Sequence, residues 1–355
     1  MKRASLRLAA SIIACATTVT ACGSDSKPSV EAVPDSLTLV AYDSFSIDPA
    51  AFDSFTADTG IDVEIVTAGD AGTMLSKAEL TKGNPEGDVM WGIDNTLLAR
   101  AVASDVFEEY ESTQLGALST AASTFDSDGR LTPVDEGDVC INYDISWFQE
   151  RNLIPPQSLD DLIAPEYRDL LVVENPATSS PGLAFLLATV AHSGEDGWRQ
   201  FWKELRNNGV LVVDGWDQAY YELFSGSSGQ GPRPLVVSYG SSPPAEVIYG
   251  DPRPATAPTA VVESTCFHQV EFAGILSGTD HPAAAGKLID FLISKEFQEQ
   301  LPLSLFVYPA RSDAALPPEF LEFSVRPSEP LSVPAADIEA NSMKWIADWT
   351  DIVLR

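Results

Sequence analysis

Positive charge is scarce in this sequence. Its 355 residues hold 21 Lys plus Arg against 52 Asp plus Glu, a formal net charge of −31. A nucleic-acid binder needs a basic face for phosphates, so that class is excluded. The acidity suits a neutral or cationic ligand, and it also serves solubility alone. Histidine is rarer still, with His192, His268 and His281 widely scattered. Each reads as a surface or packed side chain rather than a ligand or general base. The four cysteines show no CxxC or Cys/His spacing, so no metal is expected. G-x-G-x-x-G, Walker, G-x-S-x-G and H-E-x-x-H motifs are all missing. The nearest nucleophile stretch, Ser238-Tyr239-Gly240-Ser241-Ser242, lacks the flanking glycine pair of a nucleophile elbow. Nothing here asks for an enzyme, and no cofactor is expected.

The length suits about two domains at ~150 residues each. Hydrophobic residues at 45% and charged residues at 21% are ordinary for globular proteins, which excludes disorder for most of the chain. Lys2, Arg3 and Arg7 precede an apolar stretch over 8–19, too short to anchor as a span. Val19-Thr20-Ala21-Cys22 followed by Gly23 and Ser24 resembles a bacterial lipoprotein signal, in which Cys22 would be lipidated. The alternative is an ordinary signal peptide with an incidental cysteine. We therefore expect a leader over 1–21 and a polar tether over 22–35, on an exported protein held at the outer face of the membrane. Cys15 leaves with the leader. That leaves Cys140 and Cys266, which we expect to pair as a disulfide across the crossing strands, with two buried thiols as the alternative.

Periodicity gives an α/β pattern. Strands are expected at 37–41, 61–66 and 88–92, with helices at 49–58, 73–81 and 95–104 between and after them. Gly60 stands where a helix would stop. This alternation implies a mostly parallel sheet. The second stretch repeats the style. Strands are expected at 138–143, 170–173, 210–213 and 235–238, and helices at 181–192, 197–207 and 217–224. A long extended run at 267–275 follows, then helices at 283–294 and 335–353. In the last, Ile338, Trp345, Ile346, Trp349 and Ile352 form one stripe. If the chain crosses between two lobes near residue 138, the run near Cys266 is its return. We expect lobe 1 over 36–138 and 268–310, and lobe 2 over 139–267 and 311–355. A two-strand hinge would leave a cleft where a small ligand binds.

Four segments after strands read as ligand loops. They are Tyr42-Asp43-Ser44-Phe45, the stretch 177–183, the stretch 214–221 with Trp216, and the stretch 238–243. Ser179 and Ser180 at a helix start would favour a polar or anionic group, or simply cap the helix. Trp216 is either an exposed ligand face or core packing. Aromatics at several strand ends of an acidic chain suit a flat cation, at about 0.5–2 kcal/mol per π-face.

The chain resembles the thiamine-binding component of bacterial ABC importers, within the periplasmic-type binding proteins. The matching stretches are Tyr42-Asp43-Ser44-Phe45, Gly92-Ile93-Asp94-Asn95, Pro155-Pro156-Gln157-Ser158-Leu159, Thr178-Ser179-Ser180-Pro181-Gly182-Leu183, Gly215-Trp216 with Ala219-Tyr220, Val237-Ser238-Tyr239, Gln269-Val270-Glu271 and Tyr308-Pro309. The resemblance implies an α/β, two-lobed fold and a receptor that hands thiamine or its phosphates to ABC permease subunits, working as a monomer. It implies stacking by Tyr42, Trp216 and Tyr239, with Tyr220 beside them. It implies phosphate or hydroxyethyl contacts by Asp70, Thr73, Ser179 and Ser180, and acidic contact by Asp43 or Asp94. Phe306 stands where the family often has Trp; it keeps a π-face but loses the indole N–H. A receptor for another organic cation, such as a polyamine, is the alternative on the same scaffold. A thiamine-degrading transferase is a third reading.

Overall fold

The computed structural model describes residues 33–355, apart from residue 126. The expected leader, Cys22 and most of the tether lie outside the described residues. Nine strands form one sheet among those residues. They are β1 Ser36–Ala41, β2 Asp62–Thr67, β3 Val89–Asp94, β4 Thr132–Asp144, β5 Leu171–Glu174, β6 Leu211–Val213, β7 Leu235–Tyr239, β8 Thr259–Ile275 and β9 Tyr308–Pro309. Their order is β2-β1-β3-β8-β4-β7-β5-β6, with β9 on β4.

The sheet is mixed, which corrects the expected mostly parallel one. The two flanks are parallel: β2-β1-β3 on one side and β7-β5-β6 on the other. The middle is antiparallel, because β8 pairs with both β3 and β4, and β4 pairs with β7. Apolar alternation places a strand but says nothing of its direction. The long strands β4 and β8 run through both halves. Their pairing shifts between Val139, opposite Phe267, and Ile141, opposite Val262. β8 therefore spends five residues where β4 spends two, a local bulge. The Ile141 N–H is satisfied there by Thr265 Oγ1 at 2.9 Å. Cys140 and Cys266 sit at this shift and are joined, with Sγ atoms 2.02 Å apart.

Most expected helices are present. Asp53–Thr59 ends at Gly60, whose φ of 73° is left-handed and cheap only for glycine. The helices expected at 181–192 and 197–207 are one element, Ser180–Asn207, broken at Gly194 with φ 70° and ψ 171°. Helix Ala335–Val353 buries Ile338, Trp345, Trp349 and Val353. Trp349 meets Trp202 edge-to-face at 5.4 Å, a contact of about 0.5–1.5 kcal/mol beyond area burial. The segment expected as a helix at 217–224 is a short π-helical turn, Gln218–Leu223. Helix Pro243–Ile248 was not expected; its six residues are too few to show a period.

Candidate ligand-binding site

Loops that leave the C-terminal ends of β1, β6 and β7 converge on one cavity of about 260 Å³. Ligands of open α/β sheets sit at such strand ends. Tyr42 comes from the loop after β1, Trp216 and Tyr220 from that after β6, and Tyr239 from the end of β7. Asp70 precedes helix Ala71–Leu80, and Ser180 opens helix Ser180–Asn207. Phe306 lies between helix Leu301–Ser304 and β9. Tyr249, 70% exposed, marks the rim and meets Phe306 edge-to-face at 5.7 Å.

The indole of Trp216 is fixed from several sides. Tyr220 stacks against it at 4.8 Å and 13°. Its Nε1 donates to Ser238 Oγ at 3.0 Å, and Ser238 is held by Ser242 at 2.8 Å. Tyr220 is buried and its hydroxyl donates to Glu246, so it backs the indole more than it meets the cavity. Tyr239 sits 6.3 Å from Trp216, tilted by 55°. Trp216 is half-buried, with part of its ring left to the cavity.

Two contacts bridge the two flanks of the sheet across the cleft. Gly72 N donates to Thr178 O at 2.9 Å, and Trp216 N to Asp70 Oδ2 at 3.3 Å. A Cβ on Gly72 would lie 2.8 Å from Ala177 O and 2.9 Å from Thr178 O, so only glycine permits this approach.

Seven of the expected ligand residues line the cavity: Tyr42, Asp70, Ser180, Trp216, Tyr220, Tyr239 and Phe306. Asp43 and Thr73 line an adjoining recess of about 350 Å³ that shares Asp70 and Trp216 with it. Ser179 is buried at the cap of helix Ser180–Asn207, without a side-chain capping bond to that helix. Asp94 does not reach the cavity. It is sealed, with Oδ1 taken by the Thr96 hydroxyl and the N–H groups of Thr96 and Leu97, and Oδ2 by Gln269 Nε2 at 2.8 Å. Besides Asp70, the acid that lines the cavity is Glu271 on β8, which stands in the matching stretch Gln269-Val270-Glu271 but was not among the expected ligand residues. The available signal was a Glu inside the otherwise apolar run at 270–275.

Burial dominates the electrostatics. It lifts Asp70 to about 6 against the Ser179 hydroxyl beside it and the Trp216 N–H, and Asp94 to about 6 against its own donors. Burial also raises Asp135, Glu174 and Glu271, the last reinforced by the charges of Asp135 and Asp94. Among the described residues, no Lys, Arg or His lines the cavity. Among the described residues, no group of three or more His, Cys, Asp or Glu is placed to hold a metal ion.

Residues 88–325 match the family model described as bacterial extracellular solute-binding protein. The chain belongs to this family. Among curated relatives of this solute-binding protein, the thiamine-binding periplasmic protein of Escherichia coli K12 is 28% identical, covering 90% of this chain and 94% of that one. The thiamine-binding periplasmic protein of Haemophilus influenzae is 26% identical over 86% and 91%. Among solved structures, a periplasmic thiamin binding protein aligns with TM-score 0.80 and 28% identity, over 90% of this chain and 96% of that one. A ferric binding protein from Campylobacter jejuni aligns with TM-score 0.71 at 17% identity, a likeness of fold alone. The fold is that of the two-lobed periplasmic binding proteins.

Proposed function

We propose that this solute-binding protein is an extracytoplasmic receptor for thiamine and delivers it to the permease subunits of an ABC importer. The observation that carries the reading is the cavity itself: aromatic walls, acidic groups and, among the described residues, no basic side chain. Thiamine offers two flat rings and a permanent thiazolium charge, which suit π-faces and carboxylates. The relatives' names point the same way. A receptor rather than a transferase is supported by the pairing of Cys140 with Cys266, which leaves neither thiol free as a nucleophile. Lobe 1 over 36–138 and 268–310 and lobe 2 over 139–267 and 311–355 are supported by the crossing strands, where Asp138 and His268 are direct partners. The expected monomer and the thiamine phosphates belong to the same proposal.

Titration calorimetry against thiamine, its mono- and diphosphate, and spermidine tests the ligand. We expect thiamine to bind and spermidine not to; binding of spermidine alone would replace thiamine with a polyamine.

Anchoring is proposed through a lipid on Cys22, supported by the small residues before it and the Gly/Ser stretch after it. No helix among the described residues is long and apolar enough to cross a membrane. A Cys22→Ser variant should move from the detergent phase to the aqueous phase on partitioning. Retention in the detergent phase would refute the anchor.

A further inference from the structure

β8 brings Glu271 into the cavity wall, and the sheet sets two more acids beside it. Asp94 on β3 is its cross-strand partner on one side, and Asp135 on β4 on the other. Three carboxyl groups therefore sit in one row across the middle of the sheet, where directly opposed like charges repel. Asp94 is satisfied by its own turn and by Gln269. Asp135 accepts from Trp91 Nε1 at 3.0 Å and stands directly opposite Glu271 across the strands. Two buried carboxyl groups directly opposite one another disfavour double ionisation, so one of them favours its proton. Glu271 is 6% exposed, and its Oε2 has no hydrogen-bond partner among the described residues.

The other charged and titratable groups offer no cation. Tyr42 from the loop after β1, Tyr239 at the end of β7 and Asp70 line the same cavity as Glu271. The nearby Arg326 is already paired with Glu136, and the His268 ring is hydrogen-bonded to Asp138 at 3.1 Å. A buried carboxylate left without a cation or donor is costly, so the row holds either a proton or a positive ligand.

We propose that Glu271 is the anionic group that receives the ligand's positive charge, and that this charge takes the place of a proton held by the Glu271–Asp135 pair. The carboxyl O–H gives its proton to solvent, and the carboxylate that remains faces the cation. Ligand binding is then coupled to the release of about one proton. The inference rests on the thiamine reading for its ligand, but not for its row of acids.

Calorimetry of thiamine binding at pH 7 in buffers of differing ionisation enthalpy measures the released protons directly. The native protein is expected to release about one proton per thiamine, and Glu271→Gln none, with affinity about tenfold lower. Folding is checked separately. A raised carboxyl is protonated in the folded state where the unfolded chain has already ionised. It therefore loses stability as pH rises above the ordinary carboxylate range. Glu271→Gln should melt no lower than the native protein at pH 8. Thiamine binding without proton release, or with release that persists in Glu271→Gln, overturns the inference while leaving the ligand in place. If thiamine fails to bind, the thiamine reading falls, and the same titration with spermidine judges Glu271 alone. Binding of neither overturns both.

Discussion

Replacing Trp216 with alanine is expected to weaken thiamine binding about 30- to 150-fold, a loss of about 2–3 kcal/mol. The indole is the largest face in the cavity. Its stacking on Tyr220 and the bond from Nε1 to Ser238 hold it ready before any ligand arrives. A side chain fixed in this way loses little rotamer freedom on binding, so more of its contact energy appears as affinity. Trp216→Phe should lose less, because a smaller π-face remains, although the anchor to Ser238 is gone. If the ring served only the fold, both variants would melt lower without ligand, and affinity would follow misfolding alone. Calorimetry on the folded variants, with the unliganded melting temperature alongside, separates these outcomes. Near-native affinity in a well-folded Trp216→Ala would reject the cage.

A second large effect is expected at the crossing strands. Cys140 and Cys266 are 126 residues apart in sequence, and closing a loop of that length is worth about 5 kcal/mol in the chain-entropy model. A Cys140→Ala/Cys266→Ala variant should therefore melt about 10 °C lower. Cross-linking acts on the unfolded chain, so ligand affinity at 25 °C should change little. An unchanged melting temperature would show that the bridge adds no stability. The thiol content of the denatured exported protein gives an independent check, with no titratable thiol expected at these two positions.

The flanks of the sheet were legible because their strands are apolar and end at clear turn residues. β1 reads Leu-Thr-Leu-Val-Ala, and Gly60 marks the end of the helix before β2. The middle of the sheet was harder for a physical reason. The first half of β4 contains Pro133, Asp135, Glu136 and Asp138, a polar composition that reads as a linker. Those three acids are nevertheless almost fully buried. They are held by Trp91, by Ser119 and Arg326, and by His268, all distant in sequence. Only the fold brings such partners together.

The site divides the same way. Tyr42, Trp216 and Tyr239 follow strands, where ligand loops belong, and the family resemblance singled them out. Asp94 carries the same acid chemistry, but its oxygens are spent within the Asp94–Leu97 turn and on Gln269. Glu271 was hidden by lying inside a strand rather than after one. Helix Pro243–Ile248 was hidden by its brevity, although it carries Ala245 into the cavity wall.

The bonds from Gly72 to Thr178 and from Trp216 to Asp70 join protein to protein across the cleft. Each such bond contributes about 0.5–1.5 kcal/mol, so the pair favours the closed arrangement by about 1–3 kcal/mol. Apparent affinity is the intrinsic affinity multiplied by the fraction of molecules able to hold the ligand. The stitching at Gly72 thus sets a gain common to every solute the cleft accepts, while the aromatic and acidic lining sets the ratio between solutes. Gly72 and Thr178 stand outside the cavity lining and can alter sensitivity alone, whereas Trp216 and Asp70 serve both sensitivity and selectivity.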